Sequence, residues 1–361
     1  MHANLIGPVA RVLQSVCDTF GPEGLSLGRG TGSAIQMVFL GIDIGGTKRV
    51  VVVGDQTGKP LLHIRRPMEN SGDWRADLDR VIDDGRSLLA DWEAKTGEVL
   101  AGVGVSVPGP ADAVRGLLLN PPNLPSWHNA PIGPALREAF GVEVRIDNDA
   151  NAAALAEYAH GAGRGVADMV YLTMSTGVGA GVIADGRLLK GAYGGAGEAG
   201  HLPVEFPGIA CRCGLYGCLE AYVGGNAWRS RLCEIVPEGS DVLSRAGGDR
   251  DAIRPEHLVA AAREGDAFAR GEFDRWLDFL ARGIVPLVMA FEPERIVLGT
   301  IATAAGQSLC FDPLHERLTA ALWPHQAERL SIVPAELGEE LPQRAGLAVA
   351  LSGTRMEESA L

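Results

Sequence analysis

The chain carries one short pattern twice, and that repeat constrains its fold more than any other feature. From Val38 the apolar run VFLGIDI ends at Gly45-Gly46-Thr47; RVVVVGD follows at once, and GDQTGKP then turns the chain into LLHIRR. The pattern returns from Met169 as MVYLTM, the turn STGVGAG, GVIADG and RLLKG. Apolar runs of this kind, bounded by Gly, Thr and Asp, predict strands. Two copies of one strand-turn-strand-turn-strand unit predict two related domains that face each other.

Between the copies the periodicity changes. WRADLDRVIDDGRSLLADWEAK places Leu78, Val81, Ile82, Leu88, Leu89 and Trp92 near helical spacing, which predicts an amphipathic helix. LAGVGVSVPGP reads as a buried strand ending in a Pro-Gly-Pro turn, APIGPALREAF as a short helix, VEVRI as a strand, and NDANAAALAEYAHGAG as a helix closed by glycine. After Glu220 the chain turns largely helical, broken by the strands in RIVLG and LSIVPAEL, with one helix expected around ATAAGQSLCFDPLHERLTAAL and a last one through LAVALSG. Strands alternating with helices predict α/β architecture with mostly buried sheets. The expected organisation is an appendage or non-native leader over 1–36, ending just before Met37; a first α/β domain over 37–147; a second over 148–340; and a final helix with a polar tail over 341–361, returning to the first domain.

Composition narrows the partners. With 361 residues, 46% of them hydrophobic and 21% charged, two domains of ordinary size are expected. A formal net charge of -13 argues against nucleic acid or an anionic membrane as the main partner. No apolar run reaches the roughly eighteen residues of a membrane span, and the N-terminus lacks the basic head and apolar core of a signal peptide. Three of the six cysteines are clustered and Cys17, Cys233 and Cys310 are scattered, which is no disulfide framework; the expected location is cytoplasmic.

The clustered cysteines lie in EAGHLPVEFPGIACRCGLYGCLE, residues 198 to 220. His201, Cys211, Cys213 and Cys218 offer one nitrogen and three sulfurs, a closed tetrahedral set for a structural zinc. Buried thiols and a core histidine are the alternative, because C-x-C-x4-C departs from the paired C-x2-C of zinc ribbons. A metal here would also fix Glu198 and Glu220, each able to grip a hydroxyl, while the second nitrogen of His201 keeps its N–H for a ligand oxygen. Gly195, Gly197 and Gly200 spell a G-x-G-x-x-G pattern, but HLPVEFPG follows where a dinucleotide site needs a helix, so that reading fails.

The two glycine turns have a chemical use of their own. Without Cβ atoms, backbone N–H groups can approach phosphate oxygens closely, which suits an acidic chain. In the first turn the candidates are Gly45, Gly46, Thr47 and Lys48, with Asp43 placed to hold Mg²⁺ directly or through water; in the second they are Ser175, Thr176, Gly177 and Gly179. The P-loop signature is absent. Asp149 opens a helix, where an N-cap role and a depressed pKa are expected, making it a modest base sufficient for phosphoryl transfer. Asn148 suits a sugar hydroxyl as donor and acceptor, and Asp147 competes with Asp149 for the role of base.

GIDIGGTK, VPGP, NDAN, STGVGAG, E-x-G-H and C-x-C-G-x-x-G-C-x-E occur here in the order seen in the ROK family of repressors, open reading frames and sugar kinases, and the chain resembles its bacterial glucokinases from about Phe39 to the final helix. The resemblance implies an actin-like, hexokinase-type α/β fold, two ribonuclease H-like domains around a central cleft, often as a homodimer. It implies Asp149 as catalytic base; Gly109, Asn123, Asn148, Asp149, Glu198, His201 and Glu220 at the sugar; and His201, Cys211, Cys213 and Cys218 on zinc. Gly299 matches a nucleotide contact, although Gly299-Thr300-Ile301 replaces the family's run of glycines, and Gly224 replaces a small serine. The expected reaction moves the γ-phosphate of Mg-ATP to the 6-hydroxyl of glucose. N-acetylmannosamine, N-acetylglucosamine, fructose or mannose as acceptor, and polyphosphate as donor, stay open. A sugar-responsive repressor is the competing class; the residues before Met37 are too few for a winged helix and lack a basic recognition helix.

Overall fold

Two five-stranded sheets with the same strand order carry the chain. In the computed structural model, which describes residues 37–192 and 194–352, the first sheet holds β1 (Met37–Ile44), β2 (Lys48–Asp55), β3 (Pro60–Pro67), β4 (Val99–Val107) and β5 (Glu143–Asn148), in the order β3-β2-β1-β4-β5. The second holds β6 (Met169–Met174), β7 (Val178–Ala184), β8 (Arg187–Leu188), β9 (Arg295–Thr300) and β10 (Ser331–Pro334), in the order β8-β7-β6-β9-β10. In each, the first three strands pair antiparallel and the next two join in parallel. The repeat read from the sequence is therefore a repeat of topology, and the fold is the actin-like, hexokinase-type α/β class. The leader expected over 1–36 and the tail beyond Ser352 lie outside the described residues.

Alternation along the strands decides what covers each face. In β1, Val38, Leu40, Ile42 and Ile44 join Leu78, Val81 and Ile82 of helix α1 (Trp74–Thr96), whereas Phe39 on the opposite face joins Leu347 and Ala350 of the final helix, Leu341–Leu351. In β6, Val170, Leu172 and Met174 face a helical core holding Trp228, Phe273 and Trp276, while Met169 and Tyr171 join Ala153 and Ala154 of helix α3 (Asp149–His160). Helix α2 (Ile132–Phe140) precedes β5, and α4 (Gly225–Ile235), α5 (Pro255–Glu264), α6 (Ala267–Phe291) and α7 (Asp312–Ala321) follow β8; the final helix is α8. Because α3 packs on the second sheet, α8 on the first, and α3 on α8, the layers run sheet, helix, helix, sheet.

Three local expectations change. The turn STGVGAG is shorter, because Val178–Gly181 is already paired in β7, with Gly179 opposite Thr173. The third strand of the second copy is only Arg187–Leu188. The helix expected around residues 302–322 breaks at Gly306, whose φ of 79° lies in the left-handed region, and resumes at Gln307 as a π-helical turn, Gln307–Phe311, that runs into α7. Among the described residues no helix is long and apolar enough to cross a membrane.

Candidate functional site

The strand ends bring the chemistry together. Asp43, near the end of β1, lies beside Ser106 of β4 in the parallel register and accepts the Ser106 hydroxyl at 2.7 Å. Burial pushes its pKa up to about 6, opposed by the Ser106 hydrogen bond and reinforced by the Asp149 charge. The first turn follows: Gly45 N–H donates to the Lys48 carbonyl, and Met68 N–H to that of Thr47, both at 2.9 Å. Gly46 is needed as glycine, since a Cβ there would stand 2.9 Å from the Asn123 carbonyl oxygen, and Asn70 Nδ2 donates to the Gly46 carbonyl at 3.1 Å. The loop of Asn123 thus rests on the first turn.

At the β5–α3 corner the roles of neighbouring residues separate. Asn148, not Asp149, is the N-cap: its side chain accepts the Asn151 N–H at 2.7 Å. Asp149 is the first helical residue and accepts the Ala150 N–H at 2.9 Å. Its expected depressed pKa is overturned. Burial raises it, the Ala150 N–H only partly opposes this, and the Glu198 charge raises it further. Asp149 is exposed to solvent, yet enough protein surrounds it to penalise its charged form. Asp147 is buried and committed, with Oδ1 accepting the Asn148 N–H at 3.0 Å and Asn151 Nδ2 at 2.7 Å, and Oδ2 2.7 Å from Lys190 Nζ. Gly109 abuts this corner, its Cβ position 3.8 Å from Asn148 Cβ.

The second turn is held from the metal loop. Ser175 N–H donates to the Gly177 carbonyl at 3.0 Å; the Ser175 and Thr176 carbonyls accept the Gly225 and Asn226 N–H groups at 2.8 and 2.9 Å. Glu220 Oε2 accepts the Val178 N–H at 2.9 Å, and a Cβ on Gly177 would come within 2.3 Å of that oxygen. Gly179 lies outside the turn and lets α3 approach β7, since its Cβ position is 2.9 Å from Ala150 Cβ. Gly299, next to last in β9, lies opposite Thr173; Thr300, which ends the strand, has a φ of 51°, with its hydroxyl on the Met174 carbonyl and 3.2 Å from the Thr173 hydroxyl.

His201, Cys211, Cys213 and Cys218 each present a donor atom, all within 4.8 Å of one another. Cys213 and Cys218 sulfurs are 3.7 Å apart, and Cys211 Sγ lies 3.8 Å from His201 Nδ1. A tetrahedron with metal–sulfur bonds of about 2.3 Å has edges of roughly 3.7 Å, so the spacing fits zinc. Burial and the neighbouring cysteines push the Cys218 thiol up to about 12, so it stays a neutral thiol unless a cation binds and displaces the proton. With Nδ1 turned to the cysteines, His201 keeps Nε2 for another partner.

A model of the ROK family matches residues 39–351. The chain belongs to the ROK family. This ROK protein is 36% identical over 308 residues to the glucokinase of Thermotoga maritima, a match covering 84% of this chain and 94% of that one. It is 30% identical over 331 residues to the xylose repressor of Caldicellulosiruptor bescii, covering 92% and 81%. The crystal structure of a ROK family glucokinase from Streptomyces griseus in complex with glucose and AMPPNP superposes with a TM-score of 0.71 at 28% identity, covering 88% of the ROK protein and all of that chain. Beyond the residues expected from sequence, the site of the ROK protein uses Ser106, Asn151, Lys190 and Asn226. Two of these carried a signal: Ser106 as the sole hydroxyl in the apolar run LAGVGVSV, and Asn151 as the last residue of NDAN.

Proposed function

We propose that this protein is a sugar kinase that transfers the γ-phosphate of ATP to the 6-hydroxyl of a hexose, with glucose as the preferred acceptor. The observation that carries the reading is the convergence of Asp43, Asp149 and Glu198, close enough for Asp149's charge to act on Asp43 and Glu198's on Asp149, with Glu220 joining the metal loop to the second turn. The similarity to proteins named glucokinase supports the acceptor, and the glucose and AMPPNP complex of the Streptomyces griseus relative supports the donor.

Each side chain has spare capacity suited to its role. Asn148 spends its oxygen on the cap and keeps its NH₂ for a sugar oxygen. Glu220 spends Oε2 on Val178, and its Oε1, 4.0 Å from Cys211 Sγ, is released for a hydroxyl once that thiol gives up its proton to bind metal. His201 offers Nε2–H, Glu198 a carboxylate exposed beside Asp149, and Gly109 and Asn123 line the approach. Asp149 orients the 6-hydroxyl and takes its proton late, as a loose phosphoryl-transfer transition state requires. The N–H groups of the two turns that no internal hydrogen bond takes, with Thr47 and Lys48, face the phosphates, and Gly299 borders the nucleotide. Magnesium held at Asp43, directly or through water, supplies positive charge against the triphosphate. Zinc at His201, Cys211, Cys213 and Cys218 supplies a fixed cross-link in the loop.

A coupled assay across glucose, mannose, fructose, N-acetylglucosamine and N-acetylmannosamine, with ATP and with polyphosphate, tests this. The highest kcat/KM is expected for glucose with ATP; turnover of none of these sugars with either donor would refute it. The likeness to a xylose repressor gives a regulator as the second reading. A sugar-dependent mobility shift of DNA from upstream of the protein's own gene, without kinase turnover, would favour that reading.

A further inference from the structure

We infer that Lys190 is a positioning residue: its ion pair with Asp147 latches the start of the loop that carries Glu198 to the corner that carries Asp149. The loop between Lys190 and His201 is unusually permissive, with Gly191, Gly194 and Gly197 at φ values of 68°, 79° and 88°, and with Gly195 and Gly200 besides. The metal cluster fixes only its His201 end. At the other end, Leu189 N–H donates to the Val182 carbonyl at 2.8 Å and Ala196 N–H to the Lys190 carbonyl at 3.2 Å, so the loop folds back onto Lys190.

From that base Lys190 Nζ reaches Asp147 Oδ2 at 2.7 Å, an ion pair made by charge and proximity rather than by an aligned hydrogen bond. The carboxylate side chain is 5% exposed, against 45% for Lys190, and its other oxygen is held by Asn148 N–H and Asn151 Nδ2. A carboxylate so enclosed cannot follow a moving partner, so it sets where Lys190 stands. Asn151 adds a second point: its Oδ1 is buried with no donor among the described residues, and it lies 3.9 Å from the Cβ position of Gly197, the residue before Glu198. Asp147 and Asn151, hydrogen-bonded to each other at the start of α3, therefore stand beside the loop at Lys190 and near Gly197. The functional consequence, placing Glu198 against Asp149 for a sugar, rests on the proposed hexose site; the latch itself does not.

The test uses Lys190→Met, Lys190→Arg, and the double variant Asp147→Asn/Lys190→Met, which removes the stranded carboxylate while keeping an oxygen for Asn148 and Asn151. Hydrogen exchange of sugar-free protein should show the amides of residues 196–199 exchanging about tenfold faster in Lys190→Met and the double variant, with Lys190→Arg within about twofold of the parent and β1–β4 unchanged. Parent-like loop exchange in the double variant would overturn the latch. In steady-state kinetics the double variant should raise the glucose KM about tenfold and leave the ATP KM within about twofold. A parent-like glucose KM alongside a loosened loop would overturn the positioning role. A parent protein that phosphorylates no hexose would sink the proposed function instead, and loop exchange would still decide the latch.

Discussion

Asp149 shows how a neighbour changes what a carboxylate can do. A capping aspartate is held ionised by the N–H groups of the first turn, but here Asn148 takes the cap and leaves Asp149 with the Ala150 N–H and its own, against burial and the Glu198 charge. A base works deprotonated, so activity falls as pH drops through its pKa. A raised pKa therefore places the acid limb of kcat/KM above the ordinary aspartate value, and Glu198→Gln should move that limb to lower pH by removing the like charge. Asp149→Asn should hold glucose with a Kd within about threefold while kcat falls by about 10² to 10⁴; calorimetry and turnover separate the two, and near-normal turnover would remove Asp149 from the chemistry. In the metal cluster, Cys213→Ser opens one edge of the tetrahedron. Metal analysis should find most of the zinc gone and kinetics a glucose KM raised about tenfold. The sequence located these residues because NDAN and the cysteine cluster are local patterns. It misplaced the cap because Asn148 and Asp149 are both good capping residues, and only backbone geometry decides between them.

At the level of elements, strand alternation was legible and helix-to-sheet distance was not. α8 lies against β1 and β4 through glycines on both sides: a Cβ on Gly104 would stand 2.1 Å from both the Gly346 oxygen and the Ala350 nitrogen, and one on Gly346 2.4 Å from the Ile42 nitrogen. These partners are far apart in the chain, so no local pattern announces the contact. Gly104→Ala should destabilise the protein by about 3 kcal/mol or more, read as a lower denaturant midpoint, because the clash is with backbone that cannot rotate away. The turn STGVGAG failed for a related reason. Its glycines look like turn residues, but Gly179 and Gly181 lie in β7, with Cβ positions 2.9 and 2.5 Å from Ala150 Cβ and Ala154 Cβ, and serve the approach of α3. Glycine marks close approach as readily as a bend, and sequence alone does not distinguish the two.

Two crossings join the sheets: β5 runs directly into α3, and the segment after β10 returns to the first sheet as α8. Glu157, fully buried on α3, ties the crossings together by accepting the N–H groups of Ala162, Glu336 and Leu337 at 2.8, 3.1 and 3.0 Å. The proposed acceptor and donor groups are divided across this junction. Asp43 and Asn123 come with the first sheet, Glu198 and Glu220 with the second, and Asp149 stands at the crossing itself. A sugar that engages both sides therefore fixes how the two phosphate turns face each other, and acceptor and nucleotide should bind cooperatively. With 6-deoxyglucose, which fills the acceptor site without a reactive hydroxyl, calorimetry should show AMPPNP binding tightened by about 5- to 100-fold, and by linkage the nucleotide should tighten the sugar equally. Glu220 is the direct bridge from the acceptor side to the second turn through the Val178 N–H. Glu220→Gln should therefore reduce that coupling more than it weakens AMPPNP binding alone. Equal nucleotide affinity with and without the sugar would mean that the two turns are already set in the free protein.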